Sequence, residues 1–264
     1  MNNVIVVTSG KGGVGKTTTS ANLGAGLAIE GKKVVLVDTD IGLRNLDVVL
    51  GLENRIVYDL VDVIEGTCRL KQALIKDKRF SGLFLLPAAQ TRDKNAVTPD
   101  QMRSLISDLE KEFDYILIDC PAGIEQGFKN AIAGAKSAIV VAMPEVSSVR
   151  DADRIVGLLS AEGIDDVYLL INRIRQSLVN QGDMLGIDDT LEVLGLDLIG
   201  VVPDDEEVIR ATNLGEPLIS DKKAPAGQAY KNITKRILGE EVPFMDLNKK
   251  TFFGKIKNIF GSNS

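Results

Sequence analysis

Seven short, near-continuous Val/Ile/Leu-rich runs recur along the chain: Val4–Val7, Val34–Val37, Leu83–Leu86, Tyr115–Ile118, Ala138–Met143, Val167–Ile171 and Leu198–Val202. A strand with one wet face alternates apolar with polar residues. Runs without that alternation predict strands buried on both faces, as in a mostly parallel sheet. Longer stretches with helical spacing separate them, among them Thr17–Ile29, Pro99–Glu112, Val149–Ala161 and Asp205–Thr212. The pattern predicts a single α/β domain over residues 1–240, an open, mostly parallel sheet flanked by helices. After Gly239 it breaks at Glu240, Glu241 and Pro243, so residues 241–250 read as a linker and 251–261 as a separate terminal element.

Composition narrows the chemistry. There is no histidine among the 264 residues, which excludes histidine-based nucleophilic centres, histidine zinc ligands and a histidine general base. The two cysteines, Cys68 and Cys120, are too few for a disulfide scaffold or a self-contained thiolate cage, and they read as free thiols of a reducing compartment. Met1–Val7 is apolar without a basic leader and reads as a first strand rather than a signal peptide, and no apolar run reaches the length of a membrane span. These features predict a cytoplasmic protein. The net charge is −6, but residues 249–264 hold Lys249, Lys250, Lys255 and Lys257 and no acid, so the body before them carries −10. An acidic body argues against a broad nucleic-acid surface.

The first run leads into Gly10-Lys11-Gly12-Gly13-Val14-Gly15-Lys16-Thr17, followed by Thr18, which matches the G-x-x-x-x-G-K-S/T phosphate loop. Its glycines let backbone N–H groups turn toward phosphate oxygens, and the helix beginning near Lys16 adds a favourable dipole. Lys16 would reach the β- and γ-phosphates, and the Thr17 hydroxyl would ligate Mg²⁺ directly. This identifies the domain as a P-loop NTPase. Lys11 occupies a position the general pattern leaves open; by position alone it is equally a solvated loop lysine.

Carboxylates end two of the strands. In open α/β sheets ligands gather beyond the carboxyl ends, so Asp38 and Asp40 fall near the phosphates. Asp38 would hold the Mg²⁺ shell through water, and Asp40 would orient the attacking water; as an alternative, both merely cap the next segment. Asp119 closes Tyr115–Ile118 as a Walker B acid and would bind a second water of the Mg²⁺ shell. Asn172, Arg173 and Pro203 close two further strands. Asn172 would meet the adenine edge with Arg173 and Pro203 packing beside it, although turn residues after strands explain them equally well.

On a helical wheel Phe252, Phe253, Ile256, Ile259 and Phe260 share one arc, bordered by Lys255 and Lys257. Lysines beside an aromatic and aliphatic stripe suit an amphipathic helix lying on an anionic bilayer. Two alternatives stay open: docking on the chain's own domain, and disorder without a role.

Lys11-Gly12-Gly13-Val14-Gly15-Lys16-Thr17-Thr18 resembles the deviant Walker A box of the ParA/MinD family of ATPases. Val37–Asp47, Asp119-Cys120-Pro121-Ala122-Gly123 and the Phe/Lys tail extend the resemblance over nearly the whole chain. It implies an ATP- and Mg²⁺-dependent homodimer in which Lys11 reaches the partner's phosphates and Asp40 serves hydrolysis. It further implies a peripheral position on the cytoplasmic face of the cell membrane. The implied partners are a MinC-type division inhibitor and an activating or topological-specificity protein, met around Asp151 and Asp153; no nucleic acid is expected. An iron–sulfur branch of the same family is set aside, because Cys68 is not placed to pair with Cys120. The runner-up within the family is a ParA-type DNA-partition ATPase, and a metabolic P-loop enzyme explains the loop but neither Lys11 nor the tail.

Overall fold

The computed structural model describes residues 1–247, apart from 94 and 222. The expected terminal helix, with Phe252, Phe253, Lys255, Ile256, Lys257, Ile259 and Phe260, lies outside the described residues.

Among the described residues eight strands form: β1 (Val4–Thr8), β2 (Val34–Asp38), β3 (Ile75–Lys76), β4 (Leu83–Leu86), β5 (Tyr115–Asp119), β6 (Ser137–Ala142), β7 (Val167–Ile174) and β8 (Asp197–Pro203). They lie in one sheet in the order β3-β4-β2-β5-β1-β6-β7-β8, parallel throughout except where β3 runs antiparallel to β4. The seven expected strands are all present. β3 escaped the sequence reading because two residues show no periodicity; as an edge strand it needs none, and its Lys76 is a charge of the kind that blunts an edge.

Successive side chains of β1 enter different cores. Val4 and Val6 pack on one face with the helices Pro99–Glu110 and Val146–Ala161. Ile5 and Val7 pack on the other with Lys16–Ile29 and Pro225–Ile237. Both faces are therefore dry, which is why these strands carry no polar alternation. The helix Pro99–Glu110 starts where the sequence predicts, with Pro99 in its first turn and a reciprocal cap between Thr98 and Gln101.

Two features position the site. The helix Lys16–Ile29 lies hard against the sheet, because Gly24 and Gly26 admit Leu36 and Thr234: a Cβ at either would come within 2.6 Å or 2.3 Å of them. Each glycine sacrifices about 1 kcal/mol of helix propensity, and close packing is what it returns. Parallel register then sets Asp38 of β2 beside Asp119 of β5, and Val7 of β1 on the other side of Asp119. The phosphate loop and both acids thus emerge from three adjacent strands at one sheet edge.

Candidate nucleotide site

The loop leaves β1 and turns through Gly13 (φ 77°) and Gly15 (φ 101°), a left-handed conformation that a side chain resists. The first bond of the helix, Thr19 N–H to the Gly15 carbonyl at 2.9 Å, then forms. Asn172 holds this turn from β7: its side-chain N–H donates to the Val14 carbonyl at 2.7 Å, and a Cβ on Gly15 would meet that nitrogen at 2.3 Å. The Asn172 carbonyl oxygen accepts the Arg173 N–H, with Arg173 itself at φ 58°. Asn172 is therefore a strut of the phosphate loop as well as a wall residue, a role its position at a strand end did not disclose.

The two loop lysines face different surroundings. Lys16 is buried, its ammonium donating to Ser9 Oγ at 2.9 Å, and Ser9 Oγ in turn donates to the Lys11 carbonyl at 2.7 Å. The Lys11 side chain is 44% exposed and pairs with Glu145 at 3.8 Å. It points to the start of the helix Val146–Ala161.

Asp119 collects hydroxyl groups. Thr17 Oγ1 donates to one carboxylate oxygen and Ser20 Oγ to the other, both at 2.8 Å. Asp38 accepts the backbone N–H groups of Asp40 at 2.9 Å and Leu46 at 3.2 Å, so it caps the following segment as well as facing the loop. Burial pushes Asp119 up to about 6, against the hydroxyl bonds and the Lys16 charge. It pushes Asp38 up to about 7, with the neighbouring Asp119 charge adding to the rise. Two carboxylates held side by side out of water lower the cost of their charge by taking a cation. Among the described residues no three acidic or thiol groups converge to cage a metal. The donor set fits Mg²⁺ that is bound by a hydroxyl, by one or two carboxylates through water, and by the nucleotide's own phosphates.

A cavity of about 350 Å³ opens beside the loop, a volume in the range of ligand pockets. It is lined by the expected Gly15, Thr18, Asn172, Arg173 and Pro203, joined by Asp204, Val208, Ile209 and Tyr230. Asp40 opens the turn after Asp38, its N–H on the Asp38 carboxylate and its carbonyl accepting the Leu43 and Arg44 N–H groups, and its charge acts on both Asp38 and Asp119. Ser9, Ser20 and Tyr230 went unread in the sequence. Ser20 follows Thr17 by three residues, one helical turn, and that spacing was the available signal. Both cysteines are free thiols, and burial pushes Cys120 up to about 12. Asp151 is half-buried with its backbone against Gly10, while Asp153 on the same helix is exposed. Among the described residues no helix is long and apolar enough to cross a membrane.

The model of the CobQ/CobB/MinD/ParA nucleotide binding domain matches residues 5–218. Septum site-determining protein MinD of Bacillus subtilis (strain 168) is 60% identical, with all of both chains covered. Among solved structures, the MinC:MinD cell division protein complex of Aquifex aeolicus superposes with a TM-score of 0.87 at 46% identity, covering 92% of this chain and 99% of that one. Septum site-determining protein MinD complexed with Mg-ADP, from Pyrococcus horikoshii OT3, has a TM-score of 0.81 at 30% identity, covering 90% and 96%. The loop, the paired acids and these likenesses agree: the chain belongs to the MinD septum-site ATPases of the MinD/ParA nucleotide-binding family.

Proposed function

We propose that the chain is an ATPase that uses ATP to dimerise, binds the cytoplasmic face of the cell membrane through its terminal amphipathic segment, and recruits a MinC-type division inhibitor that controls septum placement. The observation that carries the reading is the division of labour between Lys16, buried in its own loop, and Lys11, half-exposed beside Glu145. A lysine of the phosphate loop that turns away from its own loop is available to the phosphates of a second chain.

In this reading the base enters the cavity beside Asn172, Arg173 and Pro203, and the phosphates lie along the N–H groups of Gly12 to Thr18. Lys16 exchanges Ser9 for a phosphate oxygen. Thr17 would hold Mg²⁺ directly and Asp38 and Asp119 would hold it through water, where the ion would neutralise phosphate charge. Asp40 orients the attacking water. Little proton transfer is needed, since phosphoryl transfer depends mainly on positioning and charge stabilisation; basal turnover in the range of about 10⁻⁴–10⁻² per second is expected. One terminal stripe binds lipid weakly, whereas two on a dimer share an effective concentration that raises avidity by about 10²–10⁴. Adhesion then follows ATP state. Support for the inhibitor as partner comes from the Aquifex complex, with Asp151 and Asp153 as the contacts to test.

Co-sedimentation with phosphatidylglycerol vesicles or with duplex DNA, each in ATP and in ADP, tests the whole. Vesicle binding that requires ATP is the expected result. DNA binding that requires ATP would select the partition reading, and attachment indifferent to nucleotide would overturn the link between pairing and adhesion.

A further inference from the structure

Past the helix Pro225–Ile237 the chain turns at Gly239 and runs on through residues 240–247 as a strap without helix or strand. This stretch was expected as a linker. It is instead tied down, by Arg236 and by apolar packing. Arg236 donates through Nε to the Val242 carbonyl and through Nη2 to the Pro243 carbonyl, both at 3.0 Å. Through Nη1 it donates to the Ile199 carbonyl, also at 3.0 Å. The ring of Phe244 stacks on the guanidinium at 4.1 Å. Met245 and Leu247 then pack on opposite cores.

Ile199 explains one of these bonds. β8 is an edge strand, and Leu198 and Gly200 pair with the consecutive residues Leu169 and Leu170, so Ile199 is the extra residue of a bulge. A bulged edge carbonyl lacks its ladder partner, and one donor would satisfy it. The other two donors and the stacked ring serve only the strap. Three fixed carbonyls match the planar fork of an arginine and no other side chain.

We propose that Arg236 is a positioning residue that fixes where the carboxyl-terminal segment leaves the ATPase body, so that the tails of two paired chains start from defined points and engage one anionic bilayer together. The inference rests on the membrane reading above and adds to it the part of the body that sets avidity. Four residues, 248–251, separate Leu247 from Phe252; release of the strap back to Gly239 lengthens that tether to twelve. Once a linker exceeds the span it bridges, effective concentration falls as about the −3/2 power of its length, which makes the loss about fivefold.

The test uses the full-length protein and vesicles of phosphatidylglycerol and phosphatidylcholine. Three variants are compared with wild type: Arg236→Ala, an insertion of eight Gly/Ser residues after Leu247, and both together. Each single change should weaken ATP-dependent vesicle binding about fivefold, and the pair about elevenfold rather than the twenty-five-fold of independent effects. Vesicle binding in ADP and ATP hydrolysis in solution should not change. Should Arg236→Ala fail to fold, Pro243→Gly with Phe244→Ala loosens the strap from outside and carries the same expectation of an ATP-specific loss. Wild-type avidity in the loosened variant overturns the proposal, as does full multiplication in the double variant or a parallel loss of hydrolysis. Wild type that shows no ATP-dependent vesicle binding refutes the membrane reading itself, and this assignment with it.

Discussion

Gly10 opens the phosphate loop with its α-carbon against the helix Val146–Ala161. A Cβ built there would lie 2.3 Å from the Asp151 carbonyl oxygen, 2.4 Å from its carbonyl carbon and 2.5 Å from its Cβ. Ordinary contact begins near 3.4 Å. Gly10→Ala therefore requires the loop and the helix to part by about 1 Å, in an interior that deforms little. No rotamer change relieves the clash, because the obstructing atoms are backbone or the first side-chain carbon. Overpacking of this kind costs about 1–3 kcal/mol. In a domain of this size each kcal/mol lowers Tm by about 2–4 °C, so the variant should melt about 2–12 °C below wild type. The catalytic loss should be larger, since the displaced loop carries Lys16 and Thr17, and a misplacement of about 1 Å costs roughly 100-fold in rate.

Gly12→Ala is the control from the same loop. A Cβ there would meet only Ala122 Cβ, at 3.7 Å, an ordinary contact. Calorimetric melts without nucleotide should leave Gly12→Ala with the wild type and separate Gly10→Ala from both; ATP turnover should collapse in Gly10→Ala. Equal melting of the two variants would refute the argument, because it would mean that available space does not decide which loop glycine is required.

Two further expectations follow from the site and a third from a buried bond network elsewhere. Ser20→Ala removes one of two hydroxyl donors to Asp119, and loss of such an outer partner lowers metal affinity by about 10–100-fold; an unchanged Mg²⁺ half-saturation of hydrolysis would contradict the assigned role. Lys16→Ala should abolish nucleotide binding, whereas Lys11→Ala should leave ADP affinity intact and lose the ATP-induced gain in mass; equal losses of ADP affinity would put both lysines in one cradle. Asp77→Asn tests a bond network outside the site. Burial alone would raise Asp77, but bonds from the Arg79 side chain and N–H, with its charge, prevail and leave the carboxyl below its ordinary 3.8. A depressed pKa stabilises the fold above the unfolded value and ceases to do so as pH falls through the folded one. Urea melts should show a deficit of about 1–2 kcal/mol at pH 7, discounted for the partial exposure of Arg79, and the deficit should narrow below pH 4. A deficit constant with pH would refute the ionic origin.

What the sequence disclosed and what it withheld divide along one physical line. Contacts set by neighbours in the chain were legible. The loop glycines, Lys16 and Thr17 are adjacent, and Asp38 and Asp119 each close an apolar run, so strand, turn, helix and acid follow from local pattern. Contacts set by strand order were not. That Asp38 abuts Asp119 depends on β2 pairing with β5, eighty-one residues on, and no periodicity carries that choice. Asn172 shows the same division: its place at a strand end was legible, but its bond to Val14 arises because β6 separates β7 from β1 while the loop folds back over it. Asp151 and Asp153 read alike as helix charges. Two residues of a helix differ by about 200° around its axis, so when the phosphate loop packs on one of them the other must face away. The loop therefore touches the helix backbone at Asp151 and its N-cap through the Lys11–Glu145 pair, while the exposed side of that helix carries Asp153.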